Sequence, residues 1–269
     1  MDPNETITPT EETTNDVGEL SHSDKMIGVF TEPAKTFYTT SKFPPRNKDW
    51  VIPVLIFFIV VALIRIIAMT NKEVYFEAKK QGIERIEQMV ESGTMTREQG
   101  DEAINAIDQQ MEFMQGPIGW VITIATTLIF GFIIFFIIVG LYYLLIKFLL
   151  KGEGTFASAL VANGLTSYIS ILQVIIAGIL TMLLGKMVMD TSLASLMGSD
   201  KNTIVGWALA KIDPISISSY IILAIGFAKM FKSESTGKYY AVVFGLWLIG
   251  MFILFQLAQA VPFLQNFMQ

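Results

Sequence analysis

Apolar residues are gathered along this chain into five long runs that carry almost no charge, and polar stretches separate the runs. A helix rises about 1.5 Å per residue, so roughly 20 apolar residues cross the hydrocarbon core of a bilayer, which is about 30 Å thick. Each run reaches or approaches that length. The pattern therefore predicts an all-α fold class, a polytopic transmembrane helical bundle whose spans lie at about 50–69, 117–148, 156–185, 214–231 and 239–261.

The second run is longer than one ordinary span. It carries no charged residue from Pro117 to Ile146, and these thirty positions would measure about 45 Å as one helix. That is too long for one upright span and too short for two spans. We expect one tilted helix whose end projects from the bilayer, where Lys147 and Lys151 close it.

The segment 71–115, between the first two runs, is strongly charged, yet its apolar residues recur at the spacing of amphipathic helices. Gly93 suits the end of a first helix. Thr96 and Gln99 have the spacing of a capping box, in which each side chain bonds the other's backbone amide at the start of a helix. The segment is therefore predicted to be an extramembrane helical hairpin.

Three further segments flank the spans. Residues 1–23 are Thr, Glu, Asp and Asn with few large apolar groups, a composition typical of a disordered acidic tail. Residues 24–49 mix apolar, proline and basic positions and predict short amphipathic helices on a membrane face, the juxtamembrane region. Residues 187–213 are polar and interrupted, and we expect an outer interfacial segment with one helix around Trp207.

The basic residues that flank the spans indicate an orientation. They are slightly more numerous on the side of the N-terminus, and there they stand close to the span ends in short loops. Because basic residues are retained on the cytoplasmic side, we expect the N-terminus in the cytoplasm and the hairpin and the C-terminus outside. The expected location is the cell membrane, which in a bacterium is the inner membrane.

Composition agrees with a membrane protein and limits the kinds of catalytic and metal site that the chain can form. Hydrophobic residues make up 52% of the chain and charged ones 16%, more apolar surface than one water-soluble core could bury. The net charge of -5, without a basic stripe, speaks against nucleic acid as a partner. There is no cysteine, and the single histidine, His22, falls in the predicted tail. We therefore expect no catalytic residue, no metal site and no cofactor, and a protein that is not an enzyme.

One face of the third span is polar. Its members recur at helical spacing and are Asn163, Ser167, Ser170 and Gln173. Such side chains either hydrogen-bond to neighbouring helices as packing contacts or line a path for a substrate. A transporter usually also carries an intramembrane carboxylate or a broken helix, and neither is evident in the sequence. Packing is the favoured interpretation, and a substrate path is the alternative.

Several short motifs give the chain a family resemblance over about residues 26–260. They are VFTEPAKTF at 29–37, GTFASAL at 154–160, IDP at 212–214, IGFAK at 225–229 and TGKY at 236–239. In their order and spacing they resemble the Yip1-domain family, membrane proteins with five spans and a cytoplasmic N-terminus. The positions that carry the resemblance are Pro33, Phe37, Gly154, Phe156, Asp213, Pro214, Gly226, Lys229 and Lys238.

The resemblance carries expectations about function. The eukaryotic branch of the family implies binding to small GTPases, but this chain lacks that branch's Asp-Leu-Tyr-Gly-Pro signature. It looks more like the bacterial branch, some members of which are linked to ABC-type exporters as accessory proteins. That implies a non-enzymatic scaffold or accessory protein in membrane lipid, whose partner is another membrane protein, such as an ABC exporter, or a second copy of itself. The alternative is a small transporter or channel that uses the polar face of the third span.

Overall fold

A computed structural model describes residues 18–260, and every regular element within them is helical. The helices are α1 His22–Thr31, α2 Pro33–Ser41, α3 Lys48–Thr70, α4 Lys72–Glu91, α5 Arg97–Gln115, α6 Pro117–Leu149, α7 Phe156–Leu184, α8 Leu193–Met197, α9 Ile204–Ala210, α10 Pro214–Met230, α11 Gly237–Gly245 and α12 Met251–Ala260. A π-helical turn, Leu246–Gly250, joins α11 to α12. The all-α fold class is confirmed.

Four stretches of helix are long and apolar enough to cross a membrane: α3, α6, α7 and the continuous stretch Gly237–Ala260. The pair α9 and α10 meets the same test of length and apolarity only when taken together, and it is bent by 61° at the break between the two helices, so the candidate crossings number four or five. The second run forms a single helix of 33 residues, Pro117–Leu149, as its length predicts. The polytopic helical bundle is therefore confirmed.

The break between α9 and α10 falls directly before the predicted start of the fourth span at residue 214. Asp213 adopts an extended conformation, with φ -135° and ψ 105°, directly before Pro214, the first residue of α10. Proline disfavours the helical conformation in the residue that precedes it, because its ring crowds that residue's backbone. The chain therefore cannot continue from α9 into α10 as one straight helix.

The bundle is organised around a close parallel pair, α3 and α7. Trp50 packs against Gly164, and further along both helices Ile64 packs against Gly178. Residue numbers therefore increase in the same direction along the two helices, which makes them parallel. A Cβ atom at Gly164 would lie 2.4 Å from the Cα of Trp50. Glycine at this position allows the two backbones to approach each other, as small residues do at helix contacts in membranes.

The main apolar core lies at the Phe156 end of α7. It combines side chains of α1, α2, α6, α7, α10 and α11. Phe37 of α2 is fully buried in it, with its ring against Gly226 of α10. The juxtamembrane helices α1 and α2 are thus part of the bundle's core and are attached to three of the predicted spans.

The charged segment between the first two spans forms two helices, α4 and α5, which pack against each other in opposite directions. Thr96 and Gln99 form the predicted capping box at the start of α5. Gly93 follows α4 with a φ of +72°, the left-handed conformation that glycine adopts readily after a helix. An ion pair between Lys79 and Asp108 joins the two helices across the hairpin.

The predicted disordered tail, 1–23, is wrong at its C-terminal end, and its first seventeen residues lie outside the described ones. Ser21 caps α1 through a capping box with Asp24. His22, the first residue of α1, holds its Nδ1 3.0 Å from Asp49 Oδ1. The polar composition that suggested disorder contains a helix-capping pair, and caps of this kind stabilise a helix start.

The Asp49 carboxylate attaches α1 to the beginning of α3. Lys25 Nζ lies 2.5 Å from Asp49 Oδ2, and both residues are about 1% exposed. His22 Nε2 lies 2.7 Å from the hydroxyl of Tyr168 on α7, which extends the network to a third helix. A buried charge pair holds a geometry when both charges are compensated, as they are here. This network fixes the juxtamembrane region on the bundle.

Candidate functional site

The polar residues predicted on one face of α7 all line one cleft with a volume of about 590 Å³: Asn163, Ser167, Ser170 and Gln173. The other walls come from α6, from α10 and from the stretch that contains the π-helical turn. The spacing of the four residues places them on one side of α7, and the structure places open space, not a tightly packed helix, in front of them.

The first two polar side chains of the cleft bond back to their own helix. Asn163 Nδ2 donates to the carbonyl oxygen of Ala159 at 3.0 Å, and Ser167 Oγ donates to the carbonyl oxygen of Asn163 at 3.0 Å. Serine and asparagine commonly bond the preceding turn in this way. An asparagine amide has a second N–H and a carbonyl oxygen, so Asn163 retains groups that a bound molecule can use.

At the other end of the polar face, Gln173 bonds a carboxylate from a different helix. Its Nε2 donates to Asp213 Oδ2 at 2.6 Å and to Ser216 Oγ at 2.8 Å. Thr191 Oγ1 donates to Asp213 Oδ1 at 2.7 Å, and Ser216 Oγ donates to Asp213 Oδ2 at 3.0 Å. The polar face of α7 therefore continues into a hydrogen-bonded network on α10.

Asp213 is a buried carboxylate that is compensated by hydrogen bonds. The residue is 1% exposed, and its Oδ1 accepts from the backbone amides of Ile215 and Ser216 at 3.0 and 3.2 Å. This is the predicted N-cap of α10, with Pro214 at the first helical position. Negative charge is favourable at a helix N-terminus, so the position before α10 suits a carboxylate side chain.

A carboxylate that the sequence pattern does not reveal contacts the polar face of α7. Trp50, at the start of α3, packs against Gly164, and Gln173 lies nine positions further along α7, about 13 Å at 1.5 Å per residue. Asp213 bonds Gln173 at that level of the bundle. Sequence reasoning missed the contact because Asp213 precedes the apolar part of its own span, and only the bend before α10 brings it to α7.

The remaining walls of the cleft are mostly apolar and aromatic. The rings of Tyr220 and Trp247 lie with their centroids 4.5 Å apart. Among the lining residues, Ile138, Leu141, Ile253 and Leu254 are between 43% and 53% exposed on the outside of the bundle. In a membrane these side chains contact lipid, so the cleft has a polar floor and a rim that faces the bilayer.

Sequence reasoning also missed polar residues that α10 contributes. Ser216, Ser219 and Tyr220 all line the cleft. Their spacing of three and four positions places them on one face of a helix, so the pattern that singled out α7 was present here too. The π-helical turn contributes Trp247 and Gly250, and π-helical turns are frequent at functional sites.

Most positions that carry the family resemblance lie at helix ends or helix contacts outside the cleft. Phe37 packs against Gly226, and Gly154 lies against the ring of Phe231. Others occupy the terminal turns of helices: Pro33, Phe156, Pro214, Lys229 and Lys238. Asp213 is the position that joins the cleft's network.

The polar groups of the cleft are suited to binding. They are amides, hydroxyls and a carboxylate that already accepts five hydrogen bonds. Within residues 18–260, no three His, Asp or Glu side chains are grouped closely enough to hold a metal ion. The arrangement offers hydrogen bonds to a polar group and apolar contacts to the rest of a molecule.

A comparison with family profiles finds that the Yip1 domain matches residues 27–257, nearly the whole chain. Comparisons with curated proteins and with solved structures give no significant match. The matched range includes α2 with Phe37, the parallel pair α3 and α7, the bend at Asp213 and the whole cleft. This multi-pass helical membrane protein therefore belongs to the Yip1-domain family.

Proposed function

We propose that this protein binds an amphipathic molecule in the cleft and acts as a small membrane transporter for it, without catalysing a reaction. The observation that carries the proposal is that all four polar residues of α7 line one cleft whose rim is apolar and exposed. The polar group of the molecule would lie on Asn163, Ser167 and Ser170. Its apolar part would lie among the side chains that face lipid.

The size and polarity of the cleft support this class of ligand. A volume of about 590 Å³ is within the range of roughly 300–1,000 Å³ that is typical of small-molecule sites. Polar groups at membrane depth are costly unless they are bonded, so unused donors and acceptors there favour a polar ligand group. A purely apolar molecule would leave the groups of Asn163 unused.

The rim supports entry from the bilayer. Ile138 and Leu141 of α6 and Ile253 and Leu254 of α12 all line the cleft, and all four side chains are partly exposed. An amphipathic molecule dissolved in the membrane can pass between two such helices without moving its apolar part into water. The bend between α9 and α10 and the π-helical turn are the breaks in regular helix that border this space.

Two neighbouring serines of α10 provide a test. Ser219 lines the cleft, whereas Ser218 is exposed on the other side of α10 and donates to the carbonyl oxygen of Pro214. The full chain would be purified from its own membrane and examined by native mass spectrometry for bound small amphiphiles. We expect a bound amphiphile in the wild type and in Ser218→Leu, and at least a fivefold lower occupancy in Ser219→Leu. Equal occupancy in the two variants contradicts the proposal.

An accessory role beside a membrane partner, such as an ABC exporter or a second copy of the chain, is a second proposal. It is supported by the hairpin of α4 and α5, whose two helices are joined by the ion pair of Lys79 and Asp108. The hairpin also exposes two aromatic side chains that a partner could contact, Phe76 (64% exposed) and Phe113 (49% exposed). Replacing the hairpin by a flexible linker and recovering the complex in mild detergent tests it. Loss of a stoichiometric partner is expected, and an unchanged set of partners contradicts it.

We further propose that the N-terminus lies in the cytoplasm of the cell that contains this membrane, with the hairpin on the opposite side. The support is the placement of basic residues in the short loops between spans, since such residues are retained on the cytoplasmic side. Both loops that close the Phe156 end of the bundle, 150–155 and 231–236, would then face the cytoplasm.

A further inference from the structure

Two loops at the Phe156 end of the bundle enclose a second pocket, of about 340 Å³, which shares no residue with the cleft. We name it the loop pocket, and its residues are Lys151, Gly152, Glu153, Phe231, Lys232, Ser233, Glu234, Ser235, Lys238 and Tyr239. Three lysines and two glutamates line it, which leaves one net positive charge. A further ammonium group lies close to the pocket, because Lys147 Nζ donates to the carbonyl oxygen of Gly152 at 3.2 Å.

The three ammonium groups of the loop pocket form no ion pair with any residue in the described part of the chain. Lys151 and Lys232 have φ values of +53° and +57°, and they are the non-glycine residues with positive φ among residues 18–260. This conformation is uncommon for residues with a side chain. Two lysines held in it line the same pocket from two different loops.

A buried hydroxyl in the loop pocket has no hydrogen-bond partner of ordinary geometry among the described residues. It belongs to Tyr239, which is fully buried and has Ser233 as its polar neighbour. The hydroxyl lies next to Gly152, where a Cβ atom would stand 3.2 Å from it and 2.8 Å from the ring of Phe231. An unpaired buried donor is costly, so a site that contains one favours a ligand that accepts its hydrogen bond.

The start of α11 adds backbone donors at the same place. The helix begins at Gly237, and the side chain of Thr236 does not cap it. The amide of Tyr239 donates to the carbonyl oxygen of Thr236 at 3.0 Å, so the free amides of this helix start are those of Gly237 and Lys238. Free amides at a helix start, together with the helix dipole, favour an anion. Lys238 and Tyr239, both in this first turn, line the loop pocket.

We propose that the loop pocket binds a phosphate group. Ammonium groups, free helix amides and a phenol hydroxyl are all donors, and the oxygens of a phosphate accept from all of them. Glu153 and Glu234 accept only and are exposed, and the three lysines outnumber them and supply the excess of positive charge. The phosphate belongs either to a phospholipid headgroup, since both loops directly follow predicted spans, or to a soluble phosphate compound.

Calorimetric titration of the full chain in dodecyl maltoside tests the proposal and separates the two sources. The probes are inorganic phosphate, dioctanoyl phosphatidic acid, and dioctanoylglycerol as the matched lipid without phosphate. The variants are Lys232→Asn, because asparagine tolerates positive φ, and Tyr239→Phe. The control is Lys72→Gln, an exposed lysine on the hairpin.

We expect phosphatidic acid to bind, and Lys232→Asn and Tyr239→Phe each to weaken the binding by about fivefold to tenfold. Binding of inorganic phosphate as well would support a site for the free group, and its failure to bind would support a lipid headgroup. Tyr239→Phe should unfold at the same or a higher temperature than the wild type, because it removes an unpartnered buried hydroxyl. The proposal is overturned if neither phosphate probe binds, if dioctanoylglycerol binds as tightly, or if Lys72→Gln weakens binding as much.

Discussion

The side-chain amide of Gln173 donates a 2.6 Å hydrogen bond to Asp213 Oδ2, across 40 residues of sequence. This bond joins the middle of α7 to the N-terminus of α10, which runs beside it in the opposite direction. It also connects the polar face of α7 with the bend between α9 and α10. Both features that sequence reasoning expects of a transporter, a carboxylate and a broken helix, thus meet at one contact.

Removing the amide of Gln173 should destabilise the protein. Gln173→Leu leaves the buried Asp213 carboxylate without one of its donors, and a lost hydrogen bond to a charged group costs about 2 kcal/mol. Thermal unfolding of the purified protein in detergent measures the effect. Gln110→Leu, at an exposed position of the hairpin, is the control, and we expect it to unfold like the wild type. Equal stability of both variants would argue against the network.

Alanine substitutions should have opposite effects at two glycines, one in the contact of α3 with α7 and one on an open face of α6. Gly164→Ala would place a Cβ atom 2.4 Å from the Cα of Trp50, so backbone must move, and overpacking of this kind costs about 1–3 kcal/mol. A Cβ atom at Gly140 of α6 would meet no neighbouring atom within 4 Å. Alanine is the better helix former, so Gly140→Ala should stabilise the protein by about 0.5–1 kcal/mol. Chemical denaturation in detergent distinguishes the two variants.

The buried pair of Lys25 and Asp49 should hold the juxtamembrane helices in place. Lys25→Met leaves the Asp49 carboxylate without its ammonium partner, and breaking a buried pair in this way costs about 3–5 kcal/mol. We expect limited proteolysis to cut the region of α1 and α2 faster in this variant. The exposed pair of Lys35 and Glu32 provides the control, because Lys35→Met should leave the cleavage rate unchanged.

Acid should release a contact in the segment between α7 and α10. Burial alone raises the pKa of Asp190, but hydrogen bonds from Lys201, Ser192 and Ser195 outweigh it and lower the pKa from 3.8 to about 2. A carboxyl with a lowered folded-state pKa stabilises the fold above pH 3.8, and the stabilisation is lost as the pH falls through about 2. As the pH falls from 3.8 to about 2, the unfolding temperatures of the wild type and of Asp190→Asn should converge. A difference that stays constant over this pH range would contradict the prediction.

Cysteine labelling tests the proposed orientation. The chain contains no cysteine, so Ser92→Cys in the hairpin loop and Ser235→Cys in the loop before α11 each introduce a single exposed thiol. A maleimide that cannot cross membranes should label Ser92→Cys in intact cells and Ser235→Cys only after permeabilisation. The reverse pattern would invert the orientation and would leave the fold as described.

Local sequence predicts those features of the site that depend on one helix. The spacing of Asn163, Ser167, Ser170 and Gln173 fixes them on one face of α7, and Asp213 with Pro214 predicts a helix start. The cleft itself depends on where several helices lie relative to one another. The Gln173–Asp213 bond depends on the direction that the chain takes at the bend, and local propensity does not specify that direction.

The N-terminal segment illustrates a different limit. Composition predicts disorder for residues 1–23, because few apolar groups are present to be buried. Ser21 and Asp24 are ordered by a capping box, and His22 and Lys25 by the buried carboxylate of Asp49. Specific polar contacts of this kind order residues 21–25, part of which composition describes as disordered.

The central claim is that the cleft is open to amphipathic molecules from the bilayer, and fluorescence of Trp247 tests it most directly. Trp247 lines the cleft and is half-buried, so lipid chains reach it by entering the cleft. In a chain with its other tryptophans replaced by phenylalanine, brominated phosphatidylcholine should quench Trp247. Ser219→Leu should relieve the quenching and Ser218→Leu should not. Absence of quenching in the parent, or equal quenching in both variants, would contradict the claim.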